Sequence, residues 1–236
     1  MANEARVIQL QKDLISLGHN DALRALNWMI SVMNSDNGYA RHDGSHYYYH
    51  LVDSTQDLIN HNITKETILT TCILHDAEED IEDVTNDMIA ELYGAEVALY
   101  VSGVTKKEGI SYKVPQNLDD YLAYILRFPE MALVKTADRK HNFSTLGNSN
   151  IAFELRQAKE TQRHFLPFFK TARKLYPEYA RYFHSAKTTI VPHLKKIMRY
   201  HEDMEALKRQ HEMTTKRHER KITDLELQIA KLKGER

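Results

Sequence analysis

Only one cysteine, Cys72, stands among the 236 residues. It has no partner within the chain, so a disulfide framework is excluded and a reducing cytoplasm is the expected compartment. Glycine and proline are also scarce, at 8 and 5 residues, and strict polar–apolar alternation is hard to find. Helices rather than strands are expected. Charge of one sign is missing: 32 Lys and Arg face 33 Asp and Glu, a formal net charge of −1. No broad basic field is available for a nucleic-acid backbone, so no nucleic-acid partner is expected. No run of about 18 apolar residues occurs, and no membrane span is expected. The opening MANEARVIQLQKDLISLG lacks a basic stretch followed by a continuous apolar core, so it does not read as a signal peptide. Histidine, by contrast, is abundant at 13, which directs attention to metal chemistry.

Helical spacing of apolar residues predicts helices over 4–17, 21–33 and 46–59. The turn formers of SDNGYARHDGS, 35–45, predict a loop between the last two. A helix is expected from a Thr64 cap to Asp80, and another from Thr85 to Tyr93 with Gly94 as its stop. An apolar helix over 95–105 and a polar loop over 106–117 should follow. Further helices are expected at 118–127, 130–141 and 151–175, the last kinked or divided by Pro167.

The segment TKETILTTCILHDAEED, 64–80, carries the chemistry. Read as one continuous helix, it places His75, Asp76, Glu79 and Asp80 on the stripe that Ile68, Leu69, Cys72 and Ile73 occupy one turn earlier. Glu78 points away. Burying three carboxylates beside an imidazole is costly unless a cation compensates them. His50 shares a helical face with Tyr47, Leu51, Ser54 and Leu58. Asp138 continues the inward face of Met131–Val134. A set of two imidazoles and two carboxylates without thiolate suits Mn²⁺, and also Fe²⁺, Co²⁺ or Zn²⁺. Cys72, among apolar neighbours, reads as structural.

These residues resemble the H…HD…D signature of HD-domain metal phosphohydrolases. More specifically, the chain is similar to the hydrolase domain of RelA/SpoT-type alarmone enzymes and their stand-alone small relatives. The family's R-x-S-G-E-P-Y-x-x-H stretch has its counterpart in Arg41 to His50, and its L-H-D-x-x-E-D in Leu74 to Asp80. G-V-T-K stands unchanged at Gly103 to Lys106, K-x-A-D-R-x-H-N at Lys135 to Asn142, and K-E-T at Lys159 to Thr161. The likeness covers about residues 22–185. It implies an all-α HD-domain helical bundle that hydrolyses guanosine tetra- and pentaphosphate at the ribose 3′ position, with Mn²⁺ as the usual metal. Carried over, His50, His75, Asp76 and Asp138 hold the metal, and Glu79 and Asp80 position and deprotonate a water. Arg41 and His42 lie in the loop facing the base, Asn142 holds the nucleoside, and Lys106 and Tyr121 border the substrate. For Lys106, Lys107 and Lys113 a basic rim and an ordinary solvated loop are equally open readings. Tyr121 and Tyr124 read as pocket lining or core, and Tyr47–Tyr49 as a brace for the His50 helix.

The base-facing loop departs from the pattern. His42 stands where a lysine is common, and Ser-Gly-Glu-Pro has become Asp43-Gly44-Ser45-His46. Hydrolysis is therefore supported more firmly than guanine. An adenine alarmone, or another nucleotide with a 3′-phosphate such as NADPH, stays open. Residues 1–195 are expected to form the hydrolase domain and 196–236 a charged helical tail. No synthetase domain is expected in the remaining length. In the tail Ile222, Leu225, Ile229 and Leu232 follow heptad spacing, while His201, His211 and His218 make the middle of the seam polar. Two readings stand: a solvated tail helix, or a coiled coil that makes the protein a homo-oligomer.

Overall fold

The computed structural model describes residues 4–234, apart from the Asn148 side chain. The expected all-α class is what the chain adopts. Among the described residues the only β-type pairing is an isolated bridge between Ala40 and His46. The helices are α1 (Glu4–Leu17), α2 (Asn20–Val32), α3 (Tyr48–Asn60), α4 (Glu66–Leu74), α5 (Ala77–Asp80) and α6 (Asn86–Tyr93). After them come α7 (Ala95–Val104), α8 (Pro115–Ile125), α9 (Pro129–Ser144), α10 (Ile151–Glu160), α11 (Leu166–Leu175) and α12 (Ala180–Gly234).

Local chemistry sets most of these boundaries. The Thr85 hydroxyl accepts from the Met88 amide and caps α6, and Gly94, at φ +91°, ends it. Helix α8 starts at Pro115, three residues before the expected position, because a proline in the first turn loses no hydrogen bond. Pro129 opens α9 in the same way. Pro167 divides the 151–175 segment as expected. The turn before it, Thr161–Phe165, widens to a π-helix, which accommodates a ring with no N–H to give the helix ladder.

Helix α4 is the axis of the bundle. Every residue from Ile68 to Leu74 is buried, and the helix packs against α2, α3, α7 and α9. Helices α7 and α9 also meet closely: a Cβ at Gly103 would collide with the Met131 side chain. The expected continuous helix over 64–80 does not form. Lys65, not Thr64, precedes the first helical residue, and α4 ends at Leu74. Asp76, at φ −102° and ψ 0°, starts the separate turn of α5.

The chain falls into two units, one up to Pro192 and one from His193. The second is a single helix, exposed at every residue from 205 to 234. No helix among the described residues is long and apolar enough to cross a membrane.

Candidate metal centre

Three mutually packed helices deliver the site. His50 lies in the first turn of α3, His75 follows the last residue of α4, and Asp138 sits in the middle of α9. All three are buried, and one ligand atom from each lies within 4.8 Å of the others. His50 Nε2 stands 3.2 Å from His75 Nε2 and 3.3 Å from Asp138 Oδ1. Asp76 Oδ2 adjoins the two imidazoles, 3.1 Å from His75 Nε2 and 3.8 Å from His50 Nε2. Consecutive residues of a continuous helix point about 100° apart. The break after Leu74 lets His75 and Asp76 face one point.

The surrounding hydrogen bonds hold each donor. His75 Nδ1 lies 2.7 Å from the Cys72 carbonyl, so Nδ1 carries a proton and Nε2 is the nitrogen turned to the centre. Tyr47 donates its hydroxyl to Asp76 Oδ2 at 2.8 Å. Lys135 Nζ lies 2.7 Å from Asp138 Oδ2, and Asn142 donates to Asp138 Oδ1. Two imidazoles and two carboxylates, with the far nitrogen of each imidazole and Asp138 Oδ2 already partnered, are a donor set that fits a divalent cation of the transition series.

The electrostatics fit it as well. Burial pushes His50 down to about 4, which leaves it a neutral ligand. Burial also opposes a charge on His75, but Asp76 and Asp138 outweigh it and hold His75 well above its ordinary value. Burial works against both carboxylates, yet His75 holds Asp76 low, and Lys135 with the imidazoles holds Asp138 low. Without a metal, a proton on His75 thus supplies part of the positive charge that the carboxylates require.

The other expected site residues surround this centre. Glu79 and Asp80 are exposed as residues rather than lying on a buried stripe, because the helix is broken ahead of them. The Asp80 carboxyl group is nonetheless pushed up to about 6, first by loss of water and then by the charges of Asp76 and Glu79. Glu79 meets Lys106 Nζ at 3.3 Å. Arg41 donates to Asn142 Oδ1 at 3.2 Å and to Thr145 Oγ1 at 2.9 Å, so Asn142 bridges Arg41 and Asp138. The His42 ring meets Phe153 edge-on at 5.4 Å. Tyr121 is buried and donates its hydroxyl to the Val104 carbonyl, so it serves the core while one edge lines the cleft.

That cleft is a cavity of about 960 Å³ bounded by Arg41, His42, Lys106, Lys113, Tyr121 and Asp138, among others. Lys107 is not part of its lining. Two polar residues beside the centre had no role in the sequence reading. Lys135 lies three positions before Asp138 on α9 and His141 three after it. Helical neighbours at that spacing share a face, so a wheel centred on Asp138 would have found both.

No family model matches the chain. Proteins with curated functions do match it. A guanosine-3′,5′-bis(diphosphate) 3′-pyrophosphohydrolase of Aquifex aeolicus is 35% identical over 130 residues, 54% of this chain and 18% of that protein. One of the same name from Haemophilus influenzae is 30% identical over 135 residues, 55% of this chain and 20% of that protein. The chain resembles RelA/SpoT-type hydrolases. The bifunctional (p)ppGpp synthase/hydrolase SpoT of Escherichia coli K12 is 30% identical over 135 residues, 55% of this chain and 19% of that protein. The chain thus spans about a fifth of the length of the RelA/SpoT-type proteins it matches. A solved structure, described as a metazoan ortholog of SpoT that hydrolyzes ppGpp and plays a role in starvation responses, superimposes with a TM-score of 0.53. It is 18% identical and covers 77% of this chain and 96% of its own. The fold is accordingly the all-α HD-domain bundle of that RelA/SpoT-type protein, and this chain also carries the long helix α12.

Proposed function

We propose that this protein is a metal-dependent hydrolase of guanosine 3′,5′-bis(diphosphate), giving GDP and pyrophosphate. The observation that carries the reading is the buried His50, His75, Asp138 cluster, with Asp76 against it, whose Asp138 lines a cavity with a basic rim. His50, His75, Asp76 and Asp138 would hold the cation, which we take to be Mn²⁺. A bound divalent cation lowers the pKa of water and polarises phosphoryl oxygens. Asp80 accepts the water proton, its carboxyl group being poised near neutrality. Glu79, paired with Lys106, orients the water from the exposed side. The water oxygen bonds to the phosphorus carried by the ribose 3′ oxygen. The P–O3′ bond breaks, and the 3′ oxygen leaves with a proton as the GDP hydroxyl.

Arg41, fixed by Asn142 and Thr145, holds the nucleoside side of the cleft, and Lys106, Lys113 and Tyr121 border the phosphates. The reaction suits a reducing cytoplasm, where the stringent response adjusts the level of this nucleotide. Residues 1–195 would form the hydrolase domain. The tail segment 196–236 would join copies of the chain through Ile222, Leu225, Ile229 and Leu232, which are about half-exposed or more.

One observation favours a second reading, another nucleotide in the same site. His42 meets Phe153 at the cleft wall, and His46 stacks on Tyr48 and receives the Ser35 amide. The loop that would face the base is thereby rebuilt around histidines. The test is hydrolysis with Mn²⁺ of guanosine tetraphosphate beside its adenosine counterpart, NADPH and nucleoside triphosphates, with products resolved by anion exchange. GDP and pyrophosphate from the first substrate are expected. Preference for another substrate would move the specificity to the Arg41–His46 loop, and no turnover of any of them would overturn the hydrolase reading.

A further inference from the structure

Behind the candidate ligand His50 runs a polar chain that the reaction does not use. His50 Nδ1 lies 2.7 Å from His141 Nδ1, and His141 Nε2 lies 3.3 Å from Asp53 Oδ2. Asp53 Oδ2 in turn lies 2.5 Å from Arg6 NH1 on α1. A carboxylate only accepts, so the proton of a neutral His141 belongs on Nε2. His141 Nδ1 is then the acceptor, and His50 must donate from Nδ1. That leaves His50 Nε2 without a proton, and Nε2 is the atom facing His75 and Asp138.

His141 does not behave as a packing residue. Together with Asp53, His50 and Arg6 it borders a second cavity of about 530 Å³, separate in its lining from most of the first. Apart from Tyr49, the side chains lining that cavity are polar or charged, so hydrogen bonds contribute more than apolar packing to fixing the His141 ring. The relation is also long-range: Asp53 sits one turn after His50 on α3, and His141 one turn after Asp138 on α9.

We infer that His141 and Asp53 are positioning residues that fix the tautomer and ring plane of His50, presenting its Nε2 lone pair to a divalent cation. This rests on the reading of the cluster as a metal site. Outer partners of this kind set ligand basicity, and their loss costs roughly 10- to 100-fold in metal affinity.

The test is Mn²⁺ binding to the full-length protein, without substrate, by electron paramagnetic resonance titration. The expected result for His141→Leu is about a 10- to 100-fold weaker affinity with the helical circular dichroism retained. His141→Asn, whose carbonyl oxygen replaces Nδ1 as acceptor, should recover most of the loss. Asp53→Asn should fall between them. In the metal-free protein, nitrogen NMR should find His50 protonated at Nδ1, and mixed between tautomers in His141→Leu. Wild-type affinity in His141→Leu would overturn the inference. So would a His141→Asn variant as weak as His141→Leu, since shape rather than the hydrogen bond would then be at fault. If the unaltered protein binds no Mn²⁺, the metal reading itself fails, and the NMR tautomer of His50 still judges the dyad.

Discussion

Asp138 is the carboxylate at the centre with the most partners. It faces both imidazoles, pairs with Lys135 and receives Asn142. Asp138→Asn keeps the shape and removes the charge that a divalent cation needs. It should abolish measurable Mn²⁺ binding and lower turnover by more than the hundredfold or so that an outer partner costs, while circular dichroism stays helical. Near-wild-type activity would falsify the metal assignment. The pH dependence of metal binding belongs to His75. Its pKa is held above the ordinary value by Asp76 and Asp138, so the metal-free site carries a proton that a cation must displace. Apparent Mn²⁺ affinity should therefore rise with pH, with release of one proton, until His75 is neutral without metal. Calorimetry in buffers of different ionisation enthalpy counts that proton, and a count of zero would remove His75 from the ligand set. Cys72 makes a contrasting case. Burial pushes its thiol up to about 11, so neutral-pH alkylating reagents should leave it intact until the protein unfolds, as intact-mass measurement would show.

At the scale of elements, the break between α4 and α5 makes the site. The apolar period of Ile68 to Leu74 is legible in sequence. The break is not, because nothing between Leu74 and Glu79 is a glycine or proline. The break forms because His75 and Asp76 satisfy the helix end through the Cys72 carbonyl, the Tyr47 hydroxyl and each other. One of those partners, Tyr47, comes from the residue that precedes α3. A second element-scale feature is the close approach of α7 and α9 at Gly103. Alanine there gains about 1 kcal/mol of helix propensity but drives its methyl group into Met131, which is fully buried. Overpacking of that kind costs about 1–3 kcal/mol, so Gly103→Ala should lower the melting temperature by several degrees. An unchanged or raised value would mean that Met131 has room to turn aside.

For the whole molecule, the two units carry different physics. The bundle is held by a core to which α1 contributes Leu10 and Leu14, α2 Leu26 and Met29, and α9 Met131 to Val134. The helix beyond residue 205 has no core of its own: Ile222 is 54% exposed and Leu232 68%. Isolated helices in water are marginal, and a heptad seam gains stability by burying its apolar positions against another helix. In a parallel pair Lys221 and Glu226, at the flanking positions, would meet across the seam. Deleting residues 200–236 should therefore lower the mass found by light scattering while leaving Mn²⁺ binding by the bundle unchanged. An unaltered number of subunits would retire the zipper.

The helical class, most helix positions and the His50, His75, Asp138 set that the fold brings together were legible in the sequence, because apolar period and ordered polar motifs are properties of the chain itself. Gly94 shows the same at a boundary, because a residue with unusual backbone freedom acts locally; Pro115 acts as locally, yet the expected start of its helix lay three residues later. What only the tertiary structure decided is how those residues meet. Asp76 turns toward His75 through a break that no local signal marks. Asn142 ties Asp138 to Arg41, about a hundred positions away, and His141 stands between His50 and Asp53, 88 positions before it. Such partners are chosen by the packing of α3, α4 and α9 on one another, and the energy of a buried charge depends on what that packing places beside it.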